Sequence, residues 1–200
     1  MNTTFVNETR KGGLMFTYSS LYDPQWISRF IETYWKDAVP ECVFFWHIYE
    51  DNGVFSNWYD SPFVIDNIRY NHVEQYIMAE KARVFNDTES YDAILKAVTP
   101  KECKNLGRLV AGFDEKIWND VRCDVLRKGL YAKFTQNEDM KQALLATGDS
   151  ILAESSPYDE IFGIKLRAEE AITMSPLDWQ GDNLLGKALM ELRADLRSNV

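Results

Sequence analysis

Apolar positions along the chain fall into runs of helical spacing interrupted by a short β-like region. Asp23 and Pro24 supply a helix start, and Trp26, Ile27, Phe30, Ile31, Tyr34 and Trp35 follow at helical spacing, in steps of one and three, until Pro40 forbids continuation. The run CVFFWHIY (42–49) is β-branched and aromatic and is followed by EDNG, which predicts a strand entering a hairpin. Phe63 to Ile65 and Ile68 to Tyr70 flank Asp66 and Asn67, a second hairpin signal. Helical patterns then take over at 72–85, 91–98 and 100–110. A long helix is capped by Asp114, with Ile117, Val121, Val125, Leu126, Leu130 and Phe134 on its apolar face. Another helix at 138–146 stops before Gly148, Ile151 to Glu154 reads as a short strand, and 183–196 closes the chain with Leu185, Leu189, Leu192 and Leu196 inward. Residues 155–182 hold Pro157, Gly163, Pro176 and Gly181 and read as an irregular, ligand-shaping loop region. The first twenty residues lack steady periodicity beyond a short strand signal at 14–18. The expectation is a mainly α (α+β) fold with a small β component near residues 42–70, residues 1–40 forming an extension of loose arm plus amphipathic helix and 41–200 the main domain.

Composition narrows the function classes. Two hundred residues, 46% of them hydrophobic, suffice for one domain with a sizeable core. A formal charge of -9 argues against coating nucleic acid by general attraction. The charge is uneven, however: residues 101–145 hold nine Lys and Arg against seven Asp and Glu, which suits a pocket for a small anionic ligand as well as it suits a solvated surface. Three cysteines without metal spacing, no apolar leader and no membrane-length run predict reduced thiols in a cytoplasmic protein away from the membrane. Nothing in the sequence fixes an oligomeric state.

The candidate chemistry rests on carboxylates, lysine and aromatics, since no metal motif, phosphate loop or nucleophile elbow is present. His47, inside an aromatic run, reads as a structural histidine. Glu74 and Lys81 stand seven residues apart on one helix, which returns them to nearly the same face roughly 10 Å apart along the axis. Lys81 has Ile77, Met78 and Phe85 as helix neighbours. An ammonium against apolar surface loses proton affinity and becomes a nucleophile toward carbonyl carbon, whereas one that snorkels to solvent does not. Glu74, in the first turn, is favoured by the helix dipole with or without a catalytic duty.

Further motifs give the pattern a likeness. FSNWYDSPF (55–63), EQYIMAEKA (74–82), LGR (106–108), FDEKIW (113–118), AKF with QN (132–137), LLATGD (144–149), SPYDEIFG (156–163) and WQGDNLLGKALMELR (179–193), in this order, closely resemble the NADAR, or YbiA-like, family. The resemblance implies a compact, mainly helical domain with N-glycosidase activity on ribosylated amines and no metal or other cofactor. Implied substrates, and hence partners, are ADP-ribosylated guanine in nucleic acid or a nucleotide, and phosphorylated ribosylamino-pyrimidine intermediates of riboflavin synthesis. Carried over position by position, Lys81 is similar to the family's Schiff-base lysine, and Glu74 and Asp159 to carboxylates that move protons. Asn57, Trp58, Arg108, Trp118, Glu154, Gly181, Asn183 and Gly186 fall at substrate-binding positions. Within that frame Trp58 and Trp118 can stack a base or pack the core, and Arg108, with Lys104 or Lys133, can hold phosphate. Two departures stand out: Phe162–Gly163 replaces a common Trp–Gly pair, and IKLRAEEAITMSPLD (164–178) replaces a glycine-rich loop. A module that binds ADP-ribose or NAD without cleaving it is the competing expectation.

Overall fold

The computed structural model describes residues 20–36 and 38–198; the strand signal at 14–18 lies outside the described residues. Among the described residues, eight α-helices and four short strands follow in order: α1 (Trp26–Tyr34), β1 (Cys42–Phe45), β2 (Phe63–Ile65), β3 (Ile68–Tyr70), α2 (Val73–Val84), α3 (Thr88–Lys96), α4 (Pro100–Arg108), α5 (Glu115–Gln136), α6 (Glu138–Ala146), β4 (Ile151–Glu154), α7 (Ala168–Ala171) and α8 (Leu184–Ser198). The α+β expectation holds. No described helix is long and apolar enough to cross a membrane.

Capping chemistry sets the helix starts. Asp87, Thr99 and Asp114 each accept a backbone N–H from the first turn of the helix they precede, and Thr99 with Glu102 completes a capping box. His72 does the same for α2: its Nδ1 accepts the Gln75 amide, and burial pushes its imidazole down to about 4, which keeps that nitrogen an acceptor. Gly148, beyond the end of α6, takes a left-handed φ of 57°, as its sequence position suggested. α1 begins at Trp26 rather than at Pro24, because the Asp23 carboxylate closes a turn on the Gln25 amide before the helix starts.

The two strand pairs differ from each other. Asp66 and Asn67, with φ of 52° and 63°, make the expected tight turn between antiparallel β2 and β3. The first expected hairpin does not form. β1 stops at Phe45 and pairs in parallel with β4, Phe45 opposite Glu154. Two contacts explain the early stop: the Asn52 amide donates to the Phe44 carbonyl, and Gly53 lies so close to Ile48 that a Cβ would sit 2.5 Å from its carbonyl oxygen. Trp46 to Asn52 therefore fold into a turn. The expected loop at 155–182 also contains the single-turn α7 and a 3-10 turn at Pro176–Asp178.

A main core holds most of these elements together, and Ala153, Ile164, Leu166 and Ala171 form a second, smaller cluster. α2, α5 and α8 contribute Tyr76, Ile77, Leu126, Leu130, Phe134, Leu185 and Leu189, with β4 supplying Ile151 and Leu152. Helix α1, expected within an extension, adds Trp26, Ile27 and Phe30 to this same core. It is also stitched to the rest: Trp26 donates to Glu191, Trp35 to the Asp149 carbonyl, and Lys187 to the Leu21 carbonyl.

Candidate active site

Three carboxylates from three different elements meet around one lysine. Glu74 comes from the first turn of α2, its amide donating to the Asn57 carbonyl. Its carboxyl is buried, and burial, reinforced by the charge of Asp159, pushes it up to about 7 against Lys104, a hydrogen bond from the Trp58 side chain, and Arg108. Glu154 ends β4, and burial together with Asp159 and Glu74 pushes its carboxyl up to about 8, Lys104 opposing. Its Oε2 is buried without a hydrogen-bond partner. Asp159 is fixed by its own turn, since Oδ1 accepts the amides of Ile161 and Phe162 while Oδ2 lies 3.8 Å from the Lys104 ammonium. Lys104, on α4, also stands 5.8 Å from the Trp58 ring centre.

A cavity of about 510 Å³ opens against this cluster, with Glu154, Asp159, Lys104, Arg108, Ser56, Ser156 and Trp58 on its polar side. The facing wall is aromatic. Trp46 stacks on His47 at 3.9 Å and His47 on Tyr49 at 5.0 Å, with Tyr158 6.1 Å from Trp46. None of these four was singled out as a site residue from the sequence, and His47, read there as structural, is a cavity residue. The signal was present in the aromatic density of CVFFWHIY, but it was spent on extending the strand. Because β1 ends at Phe45, the rings beyond it face the cavity instead of alternating across a sheet.

The remaining expected site residues divide into groups. Arg108 lines the cavity from the end of α4. Asn57 is 4% exposed, and its Oδ1 has no partner. Asn183, with a left-handed φ of 51°, clamps β4: its side chain donates to the Leu152 carbonyl and accepts the Glu154 amide. At Gly186 a Cβ would stand 2.0 Å from the Leu152 carbonyl oxygen, and at Gly181 2.3 Å from that of Gly163, so both glycines permit close backbone approach that holds Glu154 and its loop in place. Trp118 is 4% exposed and packs in the main core. Lys81 lies two turns along α2 from Glu74 and is not among the residues lining this cavity. Its ammonium donates to the Gly107 carbonyl at 2.7 Å and sits 4.0 Å from the Phe113 ring centre, and burial, followed by the charge of Arg122, lowers its proton affinity. Lys133 must be corrected. It is fully buried, donates to the carbonyls of Val54 and Ser56, and is pushed by burial down to about 7, so it ties the 53–56 turn to α5 and offers nothing to a phosphate.

Chemically, the site joins neutral, buried carboxyls to an aromatic slot. Glu154 and Glu74 can hold a proton near neutral pH and release it to a leaving group, the poise that general acid catalysis requires. Among the described residues no cluster of three or more His, Cys, Asp or Glu is arranged to hold a metal ion.

Known proteins share this architecture. A family model described as the NADAR domain matches residues 44–197. N-glycosidase R617 of Acanthamoeba polyphaga mimivirus is 37% identical over 147 residues, covering 71% of this chain and 86% of its own. N-glycosidase Npun_R5314 of Nostoc punctiforme is 31% identical over 156 residues, covering 78% and 93%. Among solved structures, the NMR structure of the E. coli protein YbiA superposes with a TM-score of 0.67 at 29% identity, over 80% of this chain and 88% of that one. With a family model spanning most of its length and relatives matched over most of theirs, the chain belongs to the NADAR domain family.

Proposed function

We propose that the protein is an N-glycosidase that hydrolyses the ribose–nitrogen bond of ADP-ribosylated guanine or a related ribosylated nucleotide. The observation that carries this reading is the proton-holding Glu154, its Oε2 unpartnered, beside Glu74 and Asp159 at a cavity of nucleotide size with an aromatic wall. The names of the relatives support the glycosidase class.

A carboxyl proton passes from Glu154 or Glu74 to the leaving nitrogen, which lets the C1′ bond weaken without expelling an anion. Asp159 beside them disfavours a second negative charge and so keeps that proton available. Lys81 is the proposed nucleophile. In the ring-opened form of a ribosylamine, its amine, once it has given up its proton, adds to C1′, the base departs as the amine, and the resulting lysine imine is hydrolysed by water to the free sugar. Trp58 stacks the leaving base at the acid in this reading, which its hydrogen bond to Glu74 and its place on the cavity lining support.

The test pairs product and intermediate. Incubation with guanine-linked ADP-ribose releases free ADP-ribose, and borohydride traps a covalent adduct that disappears in Lys81→Ala. Retained turnover in Lys81→Ala with no adduct in the wild type overturns the imine route. Tight ADP-ribose binding with no release from any ribosylated amine overturns the enzyme.

A further inference from the structure

The cavity carries more stacking surface than one leaving base can cover. Trp58 lies on it beside the acids, and Trp46, His47, Tyr49 and Tyr158 line it as well. Three of these four rings form a continuous row: the Trp46 and His47 planes are 28° apart, and those of His47 and Tyr49 10° apart. Within the row the rings cover one another, but its outer end is open, since Tyr49 is 80% exposed. Tyr158, tilted beside Trp46, is 81% exposed. A single exposed ring needs no explanation, whereas a row of rings already stacked at a cavity is a platform for another flat ring.

The platform is held before any ligand arrives. The Glu50 carboxylate accepts the His47 amide, and the Glu50 amide donates to the His47 carbonyl, which closes the turn that carries Tyr49. The Arg167 guanidinium stands 5.8 Å from the Trp46 ring centre. Arg167 belongs to segment 164–178, which is anchored by buried Ile164, Leu166 and Ala171 against Ala153, the residue before Glu154. Tyr158 directly precedes Asp159, and its amide donates to the Ser156 hydroxyl. Rings fixed in this way lose little freedom on binding.

We propose that Tyr49 and Tyr158 form a second ring subsite, which stacks the adenine at the far end of an ADP-ribosyl substrate while the scissile ribose lies at Glu154. The inference rests on the N-glycosidase reading and deepens it. Two ring subsites in one cavity select a substrate with two bases joined through phosphates over a ribose phosphate that carries a single pyrimidine. Lys104 and Arg108, on the same cavity, supply the positive charge that a diphosphate between the two ends requires. A neighbouring base of a nucleic-acid strand offers the same flat ring, but charge opposes it. Exposed Glu50 and Asp51 follow Tyr49 directly, in a chain of net charge -9, and repel a strand's phosphates.

Binding alone tests this, without turnover. In calorimetry the wild-type protein binds ADP-ribose more tightly than ribose 5-phosphate by about tenfold or more. Tyr49→Ala and Tyr158→Ala each weaken ADP-ribose binding, the double variant removes the preference, and the affinity for ribose 5-phosphate stays unchanged. Tyr49→Phe and Tyr158→Phe keep the ring and bind ADP-ribose as the wild type does. Both side chains are exposed, so the alanine variants melt with the wild type and their binding losses are local. The subsite is overturned if the wild type shows no preference for ADP-ribose, or if the double alanine variant retains it. The adenine assignment is overturned if an unmodified oligodeoxyadenylate binds as tightly as ADP-ribose and loses that affinity in the double variant, which would make the platform a strand-binding one. Absence of base release from guanine-linked ADP-ribose overturns only the glycosidase reading and leaves these binding results standing.

Discussion

Glu154 holds a proton at neutral pH because burial and two neighbouring carboxylates make its ionised form costly, and Glu74 follows for the same main reason. Two outcomes follow at the residue scale. If Glu154 is the acid, turnover falls as pH rises through about 8, and Glu154→Gln lowers kcat by about 10²- to 10⁴-fold, measured as ADP-ribose release across pH 6–9. Both groups have folded values above those of free carboxyls. They therefore contribute stability that is full below the ordinary glutamate value and lost as pH rises through about 7 and 8. Denaturant midpoints at pH 6 and 9 differ more for the wild type than for Glu154→Gln. Glu74 and Lys81 were legible as a pair from their spacing. The proton on Glu154 was not, since it depends on Asp159 and on a burial that only the tertiary fold creates.

At the scale of elements, the Glu154 carboxyl is aimed by the junction of β4 with α8. Asn183→Ala removes two hydrogen bonds and forces alanine into a left-handed conformation, so it destabilises by about 2–4 kcal/mol and lowers kcat together with stability. Gly186→Ala drives a methyl into the Leu152 carbonyl and pushes α8 off the strand. Its melting curve shifts by as much or more. Helix positions were readable in the sequence because caps such as Asp114 and Thr99 act locally. The end of β1 was not readable, because the Asn52 and Gly53 contacts that stop it come from beyond the strand. Misplacing that boundary hid the aromatic wall, which begins one residue later at Trp46.

For the whole molecule, the segment from Leu21 to Phe30 belongs to the core although it precedes the family match. Burying Leu21, Trp26, Ile27 and Phe30 is worth about 1.5–3 kcal/mol each, a sum comparable with the roughly 5–15 kcal/mol that stabilises a typical domain. Deletion of residues 1–40 therefore yields an aggregated or molten product, seen as loss of a cooperative thermal transition, and Trp26→Ala alone costs about 3–5 kcal/mol. The amphipathic helix was visible in the sequence, but its partner surface was not, since periodicity shows which face is buried and not against what. The parallel pairing of β1 with β4 carries a consequence in time. Phe45 and Glu154 lie more than a hundred residues apart in the chain yet sit opposite each other, and such distant contacts are slow to close. During synthesis Glu154 cannot be seated until β4 and Asn183 behind it have left the ribosome, so the proposed acid takes its place only after the helices from α1 to α6 have been made.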